Sequence, residues 1–217
     1  MSARDEVLRR VRSALKDGPR EATGEGEAVA WEYGRATAMD DVLSHFLERV
    51  EDYRAAVVRV PADQVARTIA EALTSRDIPS AVLPAGVPGA WAEAVSAAGV
   101  RVERDDPPLD HQALDAVGAV VTAAAVGIAE TGTVVLDHGA DQGRRALSLV
   151  PDVHVCVVRA DQVVSDVPEA VARLRQAVVG ERRPLTWISG PSATSDIELD
   201  RVEGVHGPRT LIVVLAE

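Results

Sequence analysis

The stretch AAVVRVPADQVARTIAEALTSRDIPSAVLP, Ala55 to Pro84, decides the fold. AAVVRV is a short run dominated by Val, whose branched side chain packs well on a pleated surface, so it predicts a strand. Pro61 then opens a helix over PADQVARTIAEALTSRD, because its fixed φ suits a first turn and its missing N–H is not needed there. SAVLP follows as a second strand. The same alternation continues outward: PGAWAEAVSAAG predicts a helix and VRVER a strand. Strands alternating with helices imply right-handed crossovers and a parallel sheet.

Upstream, DDVLSHFLERVEDY places Val42, Leu43, Phe46, Leu47 and Val50 on one helical face, with Asp40 and Asp41 near its N-terminus, where negative charge is favoured. Downstream, AVVTAAAVGIAETGTVVLD predicts two strands joined by a tight Glu-Thr-Gly turn, and VHVCVVR a further strand. PEAVARLRQAV is helical, with Pro168 near its start, and LTWIS and TLIVVLA are short segments that suit buried strands. The predicted class is α/β, a mostly parallel sheet flanked by helices.

The chain opens differently. Ser2 and Asp5 form a capping-box pattern, and Val7, Leu8, Val11 and Leu15 recur at helical spacing, so an amphipathic helix is expected, ending at Gly18-Pro19. GPREATGEGEAVA is acidic, Gly-rich and nearly devoid of large apolar residues, the composition of a mobile linker. The expected organisation is therefore a helical arm with its linker over residues 1–30 and one α/β domain over residues 31–217.

Composition narrows the function classes. The chain is 47% hydrophobic and 26% charged, with only 3% aromatic residues, so Val, Ala and Leu must fill the core. A net charge of −11 disfavours nucleic acid phosphates and anionic lipid as partners. MSARDEVLRRVRSAL is charged throughout, unlike a secretory signal, and the nearly apolar run Ala116 to Ala129 falls short of the ~18 residues a spanning helix requires. A cytoplasmic protein without a membrane span is expected. The single cysteine, Cys156, excludes an internal disulfide and a Cys-ligated zinc or iron–sulfur site built from this chain alone. Flanked by valines, it reads as a core residue.

Walker, dinucleotide-binding, HExxH, nucleophile-elbow and CxxC patterns are absent, so no cofactor is expected. Asp137, His138 and Asp141 are three possible donors on one loop, too common a set to predict a metal. Three loop clusters remain. In SGPSATSDIE, Ser189 to Glu198, Gly190 permits close backbone approach, Pro191 fixes the turn, and Ser192, Thr194 and Ser195 offer hydroxyls beside backbone N–H groups, a nest for a small anion. Equally, Thr194, Ser195 or Asp196 can cap a short helix through Ile197 and Leu199, with Glu198 reaching back.

In AETGT, Glu130 closes an apolar run; burial there would raise its pKa and suit it to acid/base or nucleophilic work, with Thr131, Gly132 and Thr133 holding an adjacent anion. The plainer alternative is a polar hairpin turn with Glu130 in solvent. In GVHGP, His206 beside Gly207 can donate to a phosphate or carboxylate or transfer a proton, or can simply bond the backbone of a turn. Arg144 and Arg145 are candidate anion partners in an otherwise acidic chain.

GIAETGTVVL, RALSLVPDVHVCVV, ISGPSATSDIE and GVHGP, in that order before a terminal hydrophobic strand, resemble the LUD-domain family from about Ala119 to Leu215. The resemblance implies a fold like that of ribose-phosphate isomerases and CoA transferases. It also implies a role in oxidising L-lactate to pyruvate alongside iron–sulfur partner proteins, this chain being an accessory or ligand-binding member without clusters. The family pattern carries an Arg between the Ser and Thr of the SGPS-T loop, where Ala193 stands here, which makes Arg144 or Arg145 the expected substitute. Two further readings stand beside this one. The first is a CoA-transferase- or phosphosugar-isomerase-like enzyme in which Glu130 forms an acyl intermediate, and the second is a sensor of a small carboxylate. The expected site lies at the carboxyl edge of the sheet, where the SGPS loop, the Glu130 turn and His206 would meet around a carboxylate, phosphate or CoA ester.

Overall fold

A computed structural model describes residues 3–16, 36–191 and 207–217. The chain divides into two compact units, Met1–Tyr33 and Gly34–Glu217. In the first, α1 (Ala3–Lys16) carries Asp5 and Glu6 in its first turn, as the helix dipole favours. The expected capping residue Ser2 and the linker lie outside the described residues.

The second unit runs α2 (Val42–Asp52), β1 (Ala56–Val60), α3 (Val65–Thr74), β2 (Ser80–Val82), α4 (Gly89–Ala97), β3 (Arg101–Glu103), α5 (His111–Asp115), β4 (Ala119–Ala123), β5 (Val126–Ile128), β6 (Thr133–Leu136), β7 (Val153–Arg159), β8 (Val163–Val164), α6 (Val167–Arg175), β9 (Thr186–Ile188) and β10 (Thr210–Ala216). Local chemistry starts several of these. Asp41 caps α2, its carboxylate accepting from the Ser44 N–H at 3.0 Å. Asp166 caps α6, with Pro168 in the first turn. The same Asp166, only 3% exposed, also accepts from the N–H and hydroxyl of Thr37 at 2.8 and 3.1 Å, which ties the segment before α2 to α6.

Six strands form a wholly parallel sheet in the order β1-β10-β7-β4-β2-β3. Period-two alternation assigns its two faces. Val153, Val155 and Val157 of β7, with Ile212 and Val214 of β10, face α3 and α4 through Ile69, Leu73, Trp91 and Val95. Cys156 and Val158, with Leu211, Val213 and Leu215, face Phe46 and Val50 of α2 and Val134 and Leu136 of β6. Burial on both faces explains why these strands read as unbroken Val/Ile/Leu runs.

A second sheet, β8-β5-β6-β9, lies over that second face. The sequence predicts one strand across Ala119 to Ile128. The chain instead forms β4 in the main sheet and β5 in the second, broken at Ala124-Ala125, where small side chains let the backbone change sheets. Outside β5 and β6, α6 packs Ala170 and Leu174 on Val126, Ile128 and Val135.

Candidate functional site

Two of the three motif clusters meet at one hydroxyl chain. β6 pairs antiparallel with β9, setting Val134 opposite Ile188, so Thr133 and Ser189 continue the ladder as neighbours. The Thr133 hydroxyl lies 2.7 Å from that of Ser189 and 2.7 Å from that of Thr131. Thr133 is buried, while Thr131 and Ser189 are half-buried. If the protons run in one direction through the three hydroxyls, two are used between them and the third is left for an outside acceptor. That is the elementary donor set for a carboxylate or phosphate oxygen.

Two glycines hold this arrangement against α2. Gly132 (φ +57°) and Gly190 (φ +84°) occupy the left-handed region, and a Cβ on either would stand 2.5 Å from the Arg49 carbonyl carbon or 2.6 Å from the Tyr53 oxygen. Only glycine combines that φ with so close a backbone approach.

The location differs from the sequence expectation. Arg49 and Tyr53 belong to the last turn of α2 and its C-cap, immediately before β1 begins, so the hydroxyl chain sits on the amino side of the main sheet. The hairpin path agrees. β6 rises from Thr133 to Leu136 and feeds a loop whose Asp141 carbonyl accepts from the Ala123 N–H, at the carboxyl end of β4, 3.0 Å away. β9 runs opposite to β6, so its own carboxyl end, Ser189, returns to the amino side.

At the carboxyl side, the strand order reverses between β4 and β2, the crevice where open α/β sheets bind ligands. Here the protein's own loop occupies it: the Ala140 carbonyl accepts from the Gly86 N–H at 2.9 Å. His138 Nδ1 lies 2.9 Å from the Gly143 carbonyl, which can only accept, so Nδ1 carries the proton and Nε2 accepts from the Thr186 hydroxyl at 2.8 Å. Asp137 pairs with Arg183 at 3.1 Å. Among the described residues no group of three or more His, Cys, Asp or Glu side chains could hold a metal ion.

The predicted residues therefore separate. Thr131, Gly132, Thr133, Ser189 and Gly190 come together. Glu130 is on the same turn and exposed, in line with the plainer reading of a polar hairpin turn in solvent: the chain reverses at the surface just after Ala129. Arg144 and Arg145 sit at the far end of β6, about 10 Å of strand away. Arg144 is engaged there, bonding Asp105 at 2.7 and 2.9 Å and the Leu109 carbonyl at 2.6 Å. Its guanidinium holds the Asp105 carboxyl below the ordinary range. Arg145 is exposed in the same loop. Neither lies at the Thr131–Thr133–Ser189 hydroxyls, and position 193 lies outside the described residues. Gly207 leads into β10, at the amino side. Ser192, Thr194, Asp196 and His206 lie outside the described residues.

An open pocket of about 500 Å³, lined by Thr37, Met39, Val42, Leu43, Val163, Val164, Ser165 and Glu169 among others, was not legible in the sequence. It borders the hairpin, because the Glu130 N–H donates to the Ser165 carbonyl at 3.0 Å.

Fold and turns together define an α/β protein of one family: the LUD-domain model matches residues 43–216, and the chain belongs to that family. Among its relatives is lactate utilization protein C of Deinococcus radiodurans, 53% identical over 176 residues that cover 81% of this chain and 79% of that protein. The uncharacterized protein YkgG of Escherichia coli is 41% identical over 100 residues, 45% of this chain and 43% of that protein. Lactate utilization protein C of Bacillus licheniformis is 36% identical over 100 residues, 45% and 41% of the two chains. A crystal structure of a DUF162 family protein from Deinococcus radiodurans superposes with a TM-score of 0.70 and 46% identity, covering 81% of this chain and 96% of that one.

Proposed function

We propose that this chain takes part in L-lactate utilization as an accessory protein that holds a small carboxylate at the Thr131–Thr133–Ser189 hydroxyls while iron–sulfur partner proteins accept the electrons. The observation that carries this reading is the 53% identity to a lactate utilization protein C across four fifths of the chain. Oxidising lactate to pyruvate removes two electrons and two protons, so a redox carrier is required. The lone thiol here is an unsuitable cluster ligand: Cys156 is fully buried, and burial pushes its pKa up to about 12, which keeps it protonated. The carrier is accordingly assigned to the partners, in the cytoplasm. Affinity purification without oxygen, from native cells grown on lactate, should recover two cysteine-rich iron–sulfur proteins in near-equal amounts together with lactate oxidation. Recovery of this chain alone would remove the complex.

A second reading rests on the pocket beside the hairpin. The exposed Glu130 carboxylate lies on a turn bonded to the pocket wall, and Met39, Val42, Leu43, Val163 and Val164 would accommodate an acyl chain. In that reading Glu130 attacks an acyl-CoA carbonyl, forming an acyl–glutamyl anhydride and releasing the CoA thiolate. Glu130→Ala should then abolish acyl transfer while leaving the melting temperature unchanged; full turnover in the variant would end this reading.

A further inference from the structure

Among its described residues the second unit leaves six large apolar side chains exposed, and four of them fall in one short segment. They are Val171, Val178, Val179 and Trp187, 54%, 43%, 68% and 41% exposed. LTWIS suits a buried strand, yet its indole is not in the core. The fold gathers these side chains on one side of α6. Glu169 accepts from the N–H and hydroxyl of Ser165 at 3.1 and 3.2 Å, and Arg173 donates to the Asp161 carbonyl at 2.7 Å, so this flank of α6 is fastened toward β8. Ala170 and Leu174 face the sheet. At ~100° per residue, Val171 lies about half a turn from Glu169 and Arg173, on the flank toward β6 and β9. Trp187 is the ladder partner of Val135, whose side chain packs with Ala170 and Leu174, so the indole shares that sheet face and that side of α6. Val178 and Val179 belong to a π turn, Gln176–Gly180, a feature frequent at functional sites. The Arg183 N–H donates to the Ala177 carbonyl at 2.8 Å, which ties the turn to the lead-in of β9.

The charges around this face are unevenly committed. Among the described residues, each neighbouring carboxylate has a partner: Asp137 and Glu181 share Arg183 at 3.1 and 2.9 Å, Glu169 has Ser165, Asp161 has Arg159 at 3.0 Å, Asp166 has Thr37, and Asp141 has the Gln142 amide at 3.3 Å. Arg175 and Arg182 are exposed and form no ion pair among the described residues. We propose that this face, with Trp187 at its centre and Arg175 and Arg182 free to pair, docks a different protein that presents an apolar socket edged with carboxylates. Trp and Arg are the side chains that contribute most when a contact excludes water. A second copy of this chain fits poorly, because a two-fold contact through the same face would set Arg175 and Arg182 against their own copies. Such docking is independent of the hydroxyl chain and of the lactate reading.

The test places a photo-crosslinking benzoylphenylalanine at position 171, at position 179, or at the control position 58, in the full chain within its native cells. Val58 is also exposed but lies on β1, in the main sheet. One protein other than this chain should be captured from positions 171 and 179 and not from 58. With that protein purified, Trp187→Ser should weaken the Kd about tenfold, Arg175→Gln and Arg182→Asn about threefold each, and Arg145→Gln not at all, with affinity falling as salt rises. Asn at position 182 tolerates the left-handed backbone there, φ +55°, and all these side chains are exposed or half-buried, so melting temperatures should hold. Capture of nothing, of a second copy only, or of another part of the same chain overturns the docking face. A captured protein whose Kd ignores Trp187→Ser overturns it equally, and one that responds to Trp187→Ser but to neither Arg variant overturns the carboxylate-edged partner.

Discussion

His154 is the residue whose surroundings say most about its chemistry. It is 1% exposed on β7, its Nε2 2.8 Å from the Thr122 hydroxyl, which in turn donates weakly to Cys156 Sγ at 3.7 Å. Either the ring nitrogen or the hydroxyl can be the donor between His154 and Thr122. Its Nδ1 has no hydrogen-bond partner among the described residues. Burial of the ring lowers its pKa from 6.5 to about 4. Above pH 6.5 both folded and unfolded chains hold a neutral ring, and the residue contributes no pH dependence. Between 6.5 and about 4 the unfolded chain takes up a proton that the core refuses, so stability falls as pH falls. The slope is about 1.4 kcal/mol per pH unit, on the order of 3 kcal/mol across the window. Urea melts between pH 7 and 4 should show an acid limb shallower by one proton in His154→Gln; an identical slope would remove His154 as its cause.

At the scale of elements, the hairpin β5–β6 and the end of β9 are positioned by two backbone contacts on α2. Gly132→Ala and Gly190→Ala each impose a disfavoured φ and an overlap with α2 backbone. Each should cost about 2–4 kcal/mol, the sum of local strain and overpacking. Gly89→Ala is the control, since nothing lies within 4 Å of a Cβ there. Thermal melts decide it, and equal stability in all three variants would mean that the turns do not press on α2. Both glycines stand in motifs the sequence marks as loops. That they share a neighbour was not legible, because Arg49 and Tyr53 precede them by more than 80 residues and carry no motif.

At the scale of the molecule, protection should follow the layers. β4, β7 and β10 are central in the main sheet and buried on both faces, whereas β9 and β3 are edge strands of three residues each. In native-state hydrogen exchange, amides of β4, β7 and β10 should therefore open only with global unfolding, and those of β9 and β3 through smaller openings. Protection of β9 equal to that of β10 would contradict this layering. The same layering places the hydroxyl chain at the less protected second sheet.

The amino-acid sequence determined the α/β class, most strands and helices, and the parallel main sheet. These depend on local period and on residues such as Pro61, Asp41 and Pro168, whose preferences act within a turn or two. It also marked the turns at Glu130 to Thr133 and Ser189 to Gly190, because glycine and hydroxyl residues after apolar runs are local signals. Only the tertiary structure decided that the chain changes sheets at Ala124-Ala125, and hence that β6 and β9 run in opposite directions and bring these turns to the amino side. Only tertiary structure likewise committed Arg144 to Asp105, 39 residues away, and set Gly132 and Gly190 against Arg49 and Tyr53 of α2. Strand direction and ion-pair choice are set by which distant surfaces bury each other, and no local pattern encodes that.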